Sequence, residues 1–381
     1  MPREMSDGRR RICFVLPSLN GGGAERAAVQ ILNRLDPERW DRSLFLFARE
    51  GPYLAEVDPS IPIHHAATTS RFGRWRALRN YVAAERPDVV MAFLSFFSAL
   101  TAVRAALTRA KVVFNLQTPM SAFLTDADYH WRRRWHKAAF AAVTRVGYAA
   151  ADLIIATSHG VARDLTAAFG IDPDRIRVLS NPVDLDRVRT AIAEPIETGI
   201  LPPGDAPLIV AAGRLAEAKN YPLMIEAFAM LRQRMPARLC ILGQGELESE
   251  LRQLIVARGL SGAVSLAGFQ ANPWKYIAQA DVFLLTSRYE GFGNVLIEAM
   301  ACGVPVIATA SAGTRDIVQH GSDGLLIEAH TAAAVADVLH KLLSDRAQLE
   351  RLRAGASRAT EKFGLSSTVA RYDAALREVI A

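Results

Sequence analysis

The segment Arg288-Tyr289-Glu290-Gly291-Phe292-Gly293-Asn294-Val295-Leu296-Ile297-Glu298-Ala299 sets two carboxylates on either side of a glycine-rich bend that runs into an apolar helical pattern. Gly291 and Gly293 let backbone N–H groups approach a ligand closely, and a helix opening near Asn294 offers N–H donors and a positive dipole end to an anion. Glu290 then lies in the loop and Glu298 about one turn inside the helix, so the two face different parts of one ligand. The pattern suits a sugar and its phosphates. A helix start with a solvated glutamate on each side fits the same letters.

Other stretches offer compatible chemistry. Ala212-Gly213-Arg214-Leu215-Ala216-Glu217-Ala218-Lys219-Asn220 follows an apolar run, and Arg214 with Lys219 can converge on a diphosphate, a forked guanidinium beside a point-charge ammonium. A solvated basic loop paired with Glu217 is the competing reading. Ile241-Leu242-Gly243-Gln244-Gly245-Glu246-Leu247 and Ala267-Gly268-Phe269-Gln270 bring small or polar residues to the ends of two further runs. Phe269 and Gln270 could serve a nucleobase, although Phe269 taken alone reads as buried. Near the start, Asn20-Gly21-Gly22-Gly23-Ala24-Glu25-Arg26 opens a helix with a glycine run that is costly to order unless something approaches its backbone. Its spacing is not the dinucleotide-binding Gly-x-Gly-x-x-Gly.

The elements that must position these residues alternate. Short apolar runs ending in Gly, Pro, Asn or Ser recur between helical patterns, which argues for parallel sheets covered by helices. Strands are expected at 12–16, 43–47, 89–93, 112–115, 153–157 and 177–179, then at 208–212, 238–242, 264–267, 282–286, 304–309 and 324–327. Each half reads as a doubly wound α/β unit. The 381 residues are too many for one ordinary core. The expected division is a first domain over 1–190, a Pro/Gly-rich linker over 191–205, a second domain over 206–363, and a last helix over 364–381 packing back on the first domain.

Composition narrows the partners. Hydrophobic residues at 50% and charged residues at 22% describe a packed globular chain. A net charge of +6 and a pI near 9.4 point to an anionic partner, whether nucleic acid, membrane surface or phosphorylated small molecule. The basic residues thicken in Trp131-Arg132-Arg133-Arg134-Trp135-His136-Lys137, which reads either as a membrane-surface segment or as a solvated helix face. No aromatic-basic platform or recognition helix appears, so nucleic acid is not expected. No uncharged run reaches the ~20 residues that span a bilayer, and Ile12–Leu16 reads as a first strand rather than a secretory leader. The three cysteines, Cys13, Cys240 and Cys302, lie far apart in apolar stretches and read as buried small hydrophobes in a reducing compartment. Asp126-Ala127-Asp128 and Asp184-Leu185-Asp186 imitate a cation-binding Asp-x-Asp, but both read as loop carboxylates, and no metal site is expected.

Taken together, the glycine loop at 21–26, Arg214 with Lys219, Gly243-Gln244-Gly245-Glu246-Leu247, and Glu290 spaced from Glu298 as E-x7-E resemble the GT-B glycosyltransferases. Within them they resemble the large retaining family called family 4, or group 1. The resemblance covers nearly the whole chain and implies two Rossmann-like domains facing a central cleft. It implies that Glu290 binds donor-sugar hydroxyls, that the N–H groups of Phe292, Gly293 and Asn294 hold sugar or phosphate, and that Glu298 takes the ribose hydroxyls. Arg214 and Lys219 would neutralise the diphosphate, with Gly22 and Gly23 close to it. Gly243, Gly245, Gln270 and Gly291 would complete the nucleotide site. The implied donor is a UDP- or GDP-sugar, transferred with retained configuration and without a metal or other cofactor.

Where many relatives carry a histidine after the strand ending near Asn115, this chain has Gln117, which can hydrogen-bond a sugar hydroxyl but cannot act as an acid or base. The Gly-Gly-Ala-Glu-Arg loop resembles that of polyprenyl-diphosphate-linked glycan extenders. That likeness makes Arg132, Arg133, Arg134 and Lys137, with Gln117, the acceptor-site candidates. It also implies a cytoplasmic enzyme peripheral on the anionic cytoplasmic face of the membrane, serving polysaccharide or lipopolysaccharide assembly. A nucleotide-sugar epimerase on the same fold is the alternative from another class, and a nucleic-acid-binding protein a more distant one.

Overall fold

The computed structural model describes residues 8–20, 22–94, 96–122 and 134–381. It divides into two compact units, Met1–Pro182 with Leu365–Ala381, and Val183–Gly364.

The first unit is built on a parallel sheet with strand order β3-β2-β1-β4-β5-β6-β7. Its strands are β1 Arg10–Leu16, β2 Trp40–Leu46, β3 Ile63–His65, β4 Val89–Phe93, β5 Lys111–Leu116, β6 Leu153–Ala156 and β7 Ile176–Val178. Strands such as Val89–Phe93 are buried throughout, because helices cover both faces and leave no polar side to alternate with. One face is closed by α1 (Gly23–Arg34) and the C-terminal helix at Leu365–Ile380, which seats Val369, Tyr372 and Leu376 against Phe14, Met91 and Trp40. The other is closed by α2 (Arg71–Glu85), α3 (Phe96–Ala105), α4 (Arg134–Ala149) and α5 (His159–Phe169). Strand β3 was not anticipated from sequence. It has three residues, two of them histidines, and its place comes from pairing with β2 rather than from any apolar pattern of its own.

The second unit holds a parallel sheet ordered β10-β9-β8-β11-β12-β13. These are β8 Leu208–Ala212, β9 Arg238–Leu242, β10 Val264–Leu266, β11 Val282–Leu285, β12 Val306–Thr309 and β13 Gly324–Ile327. The helices are α6 Leu185–Ala191, α7 Tyr221–Arg232, α8 Glu248–Ala257, α9 Trp274–Ile277, α10 Asn294–Ala301, α11 Thr314–Ile317, α12 Ala332–Ser344 and α13 Arg346–Ala359, with α14 at Leu365–Ile380 in the first unit.

The division falls earlier than the sequence suggests. The chain leaves the first unit after Pro182 rather than near residue 190, and Leu185, Val188 and Ala191 of α6 enter the core beside Trp274 and Leu296. The Pro/Gly-rich stretch expected as a linker lies wholly inside the second unit. Ile200 and Leu201 pack against its core, Arg238 donates to Pro202 O at 2.9 Å and Ala206 O at 2.8 Å, and Glu197 accepts from Lys275 at 3.0 Å. Lack of periodicity in that stretch marks backbone tied down by others' side chains, not a tether.

In both sheets the connection order reverses, between β1 and β4 in the first and between β8 and β11 in the second. In open α/β sheets, ligands bind outside the carboxyl ends of the strands at such a reversal. The loops leaving β8 and β11 are therefore where the second unit's chemistry is expected.

Candidate active site

Those two loops bring Lys219 and Glu290 together. Lys219 closes a short 3-10 turn after β8, and Glu290 follows β11 by five residues. Because β8 and β11 are hydrogen-bonded neighbours, the loops leave side by side, and Lys219 Nζ donates to Glu290 Oε2 at 2.8 Å. Ser287 Oγ donates to the same oxygen at 2.9 Å. The two charged side chains are 21% and 15% exposed, so the pair is half-withdrawn from water yet reachable.

Backbone lacing holds the pair in place. Thr286 Oγ1 donates to the carbonyls of Lys219 and Asn220 at 3.2 and 3.1 Å, and Arg288 N donates to Ala218 O at 2.8 Å. From the loop after β12, Gly313 N donates to Glu290 O at 2.9 Å, while Thr309 Oγ1 donates to Ser287 O at 2.7 Å. A Cβ at Gly313 would stand 2.5 Å from Phe292 N, so only glycine lets these loops meet. Tyr221, buried under the Lys219 loop, donates to Gly213 O at 3.2 Å. Burial first, and then the Glu290 charge, drives its hydroxyl pKa upward, so it remains a neutral donor.

The glycine bend behaves as its composition implies. Gly293 takes φ 102 and ψ 52 at the N-cap of α10, where no side chain caps the helix. Phe292 turns its ring into the core, 3% exposed and edge-on to Phe363 at 5.6 Å. Gly291, Gly293 and Asn294 thus form a backbone rim beside the Lys219–Glu290 pair, at the end of the helix where the dipole favours an anion.

The remaining candidates fall at varying distances from this centre. Arg214 is 75% exposed, with Nη2 3.9 Å from Glu246 Oε1, and makes no contact with Glu290. Gly243 and Gly245 stitch loops together. A Cβ on Gly243 would lie 2.0 Å from Gly213 O, and one on Gly245 2.4 Å from Leu215 O, while Gly243 N donates to Gly268 O and Leu215 N to Gln244 O. These glycines have a packing reason independent of any ligand. Gln270 Nε2 donates to Ala267 O at 2.8 Å. Phe269, read from sequence as buried, is 51% exposed: it follows Gly268 at φ 68, which turns the chain away from the sheet. Glu298 is buried at 8% exposure, with Trp274 Nε1 donating to it at 2.9 Å.

In the first unit, Gly22 is the N-cap of α1 and Gly23 its first residue. A Cβ on Gly22 would fall 2.2 Å from Glu25 Oε2. Gln117 stands just beyond β5 with its amide turned inward. Its Nε2 donates to Asn115 Oδ1 and, at 3.0 Å, to Asn181 Oδ1, and its Oε1 accepts from Asn181 Nδ2 at 2.7 Å. Asn115 in turn donates to the Tyr372 hydroxyl at 3.0 Å. Arg132 and Arg133 lie outside the described residues, as do Asp126 and Asp128, and Arg134 and Lys137 fall in the first turns of α4. Asp184 accepts from Arg187 N at 3.1 Å as the cap of α6, and Asp186 is exposed 3.9 Å from Arg189. Cys13 and Cys240 are buried and Cys302 half-buried, all free thiols; burial pushes each up to about 12.

Sequence reasoning missed Ser287, Gly313 and Trp274. The first two had a signal, as small or hydroxylated residues at the carboxyl ends of β11 and β12. Trp274 reads only as a core aromatic.

The two doubly wound units have the GT-B glycosyltransferase fold. The structure of HepE from Anabaena in complex with UDP and glucose matches 97% of this chain and 100% of that one, with a TM-score of 0.80 at 21% identity. Two family models also match, one described as Glycosyltransferase Family 4 over residues 21–187 and one described as Glycosyl transferases group 1 over residues 194–359. The chain belongs to this glycosyltransferase family. Among curated relatives, it is 36% identical over 199 residues to the N-acetylgalactosamine-N,N'-diacetylbacillosaminyl-diphospho-undecaprenol 4-alpha-N-acetylgalactosaminyltransferase of Campylobacter jejuni, covering 52% of each chain. It is 33% identical over 202 residues to the lipopolysaccharide core biosynthesis glycosyltransferase LpsE of Rhizobium meliloti, covering 53% of this chain and 56% of that one. The matched stretch thus spans about half the length of these relatives.

Proposed function

We propose that this chain is a retaining glycosyltransferase that moves a hexosyl or N-acetylhexosaminyl group from a UDP- or GDP-sugar to a lipid-diphosphate-linked glycan in polysaccharide or lipopolysaccharide assembly. The observation that carries the proposal is the Lys219–Glu290–Ser287 cluster beside the Gly291–Asn294 rim, at the strand-order reversal of the second sheet. Family membership supports the activity, and the Campylobacter relative, whose name specifies a diphospho-undecaprenol-linked acceptor, supports the acceptor class.

On this reading a bound donor shares Glu290 with Lys219. The carboxylate accepts from sugar hydroxyls, the ammonium turns to the diphosphate, and the exposed Arg214 swings onto the same phosphates. Positive charge aimed where the leaving group gains negative charge lowers the barrier. Departure proceeds on the face where the acceptor enters, a phosphate oxygen taking the acceptor proton, so no side-chain nucleophile is needed. Lys219 and Arg214 supply the charge that a cation would otherwise bring, and turnover should be insensitive to EDTA. Glu298 takes the ribose hydroxyls. Arg132, Arg133, Arg134 and Lys137 meet the acceptor diphosphate at the cytoplasmic membrane face. No helix among the described residues is long and apolar enough to cross a membrane, and the association proposed is peripheral.

The test is a panel of UDP-, GDP- and ADP-sugars scored for nucleoside diphosphate release, with wild type and Glu290→Ala. One donor should turn over and the variant should lose it. If no nucleotide sugar binds or turns over, the proposal fails, and an epimerised donor without transfer would replace it with an isomerase. Charge reversal at Arg133 and Arg134 should weaken transfer to a lipid-diphosphate acceptor more than donor hydrolysis; equal losses would remove the acceptor assignment.

A further inference from the structure

The position of Glu298 is set from outside its own helix. An ionised carboxylate so withdrawn from water is costly unless donors hold it, and the indole of Trp274 is one such donor, with Nε1 2.9 Å from Oε2. Trp274 is itself only 4% exposed and is held from several directions. The Arg187 guanidinium from α6 lies over its ring at 5.6 Å. Asn272 Oδ1 accepts from Trp274 N at 3.2 Å while Asn272 Nδ2 donates to Ala191 O at 2.8 Å, tying the start of α9 to the end of α6. On the far side, Cys302 Sγ sits 3.8 Å from Trp274 O. An indole N–H can only donate and does not titrate, so it fixes one carboxylate oxygen in one hydrogen-bonding sense. The rotamer of a residue on α10 is in this way governed by α6 and α9.

We propose that Trp274 is the positioning residue that presents the Glu298 carboxylate to the ribose hydroxyls of the nucleotide, with Arg187 and Asn272 holding the indole; this rests on the nucleotide-sugar reading above. Trp274 acts through Glu298 and touches no reacting atom. Loss of its N–H should therefore weaken binding of nucleotides that carry ribose hydroxyls and leave nucleotides without them nearly unaffected. General loosening of the core would weaken both alike.

The experiment compares UDP and GDP with their 2′,3′-dideoxy forms by calorimetry, on wild type, Trp274→Phe and Arg187→Ala. Trp274→Phe keeps an aromatic ring and removes the donor. It should raise Kd for the preferred ribonucleotide about tenfold and for the dideoxy form less than twofold, with donor KM rising more than kcat falls. Arg187 is exposed, so its variant tests the same point without risk to the core. It should show the same ribose-dependent loss at about threefold. In a Glu298→Ala background, Trp274→Phe should add no further loss. Equal weakening of ribo and dideoxy forms, unchanged ribonucleotide binding, or additivity with Glu298→Ala would overturn the assignment while leaving the transferase reading in place. A wild type that binds none of the four nucleotides would overturn both.

Discussion

At the carboxyl edge of the second sheet Lys219 and Glu290 are charged and reachable, whereas beyond β5 of the first sheet Gln117, Asn115 and Asn181 are neutral amides bonded to one another. Lys219 and Glu290 meet at 2.8 Å with part of each still exposed, and a diphosphate or a sugar hydroxyl can exchange with either partner. Gln117, Asn115, Asn181 and the Tyr372 hydroxyl instead match donors to acceptors internally, and Asn115, Asn181 and Tyr372 are almost wholly buried. Breaking that network leaves buried polar groups without partners, at about 1–3 kcal/mol each. On the proposed function, Lys219 and Glu290 exchange partners with the donor, whereas the amide cluster is satisfied without one. Gln117, an acceptor-site candidate by sequence, has its amide engaged by Asn115 and Asn181.

The sharpest way to break this contrast is kinetic. Lys219→Ala should lower kcat/KM for the nucleotide sugar about 100-fold or more, the scale of removing one preorganised charge from a developing anion, measured by initial rates. Next comes the lacing. Gly243→Ala puts a methyl 2.0 Å from Gly213 O at a φ of 139, and should cost about 2–4 kcal/mol by denaturant unfolding measured without ligand. Tyr372→Phe removes the acceptor from the Asn115 amide and should cost about 1–3 kcal/mol of stability while donor turnover by folded protein is kept.

The smallest expected effect concerns acid stability. Glu197 accepts from Tyr276 and then from Lys275, which holds its carboxyl down at about 2 against an ordinary 4.5. A depressed carboxylate contributes stability that is complete above its unfolded value and is lost as pH falls from there through the folded one. Glu197→Gln should lower Tm slightly above about pH 5, where that contribution is complete, and flatten the acid limb so that the two profiles converge toward about pH 2; the difference stays small because the side chain is 61% exposed.

The buried strands were legible because a parallel sheet covered on both faces needs continuous apolar runs, and Val89–Phe93, Leu208–Ala212 and Arg238–Leu242 were read with the bounds they have. What sequence hid was set by neighbours at a distance. Strand β3 exists through its pairing with β2. The unit boundary falls at Pro182 because α6 carries apolar residues that either sheet could have buried, and the second core takes them. The exposure of Phe269 follows from one positive-φ glycine before it. In the site, Glu290, Lys219 and the glycine bend were readable as charges and a turn placed after strands. Ser287, Gly313 and Trp274 matter through contacts that exist only once β11 and β12 lie side by side and α9 reaches α10.

The most direct measurement is nucleoside diphosphate release from the best donor by wild type, Glu290→Ala and Gln117→Ala under one set of conditions. The predicted result is a loss of about 100-fold or more for Glu290→Ala and of less than about threefold for Gln117→Ala once folded fractions are matched. Equal losses in the two variants, or undiminished release by Glu290→Ala, would contradict the assignment of the donor chemistry to the second sheet's edge.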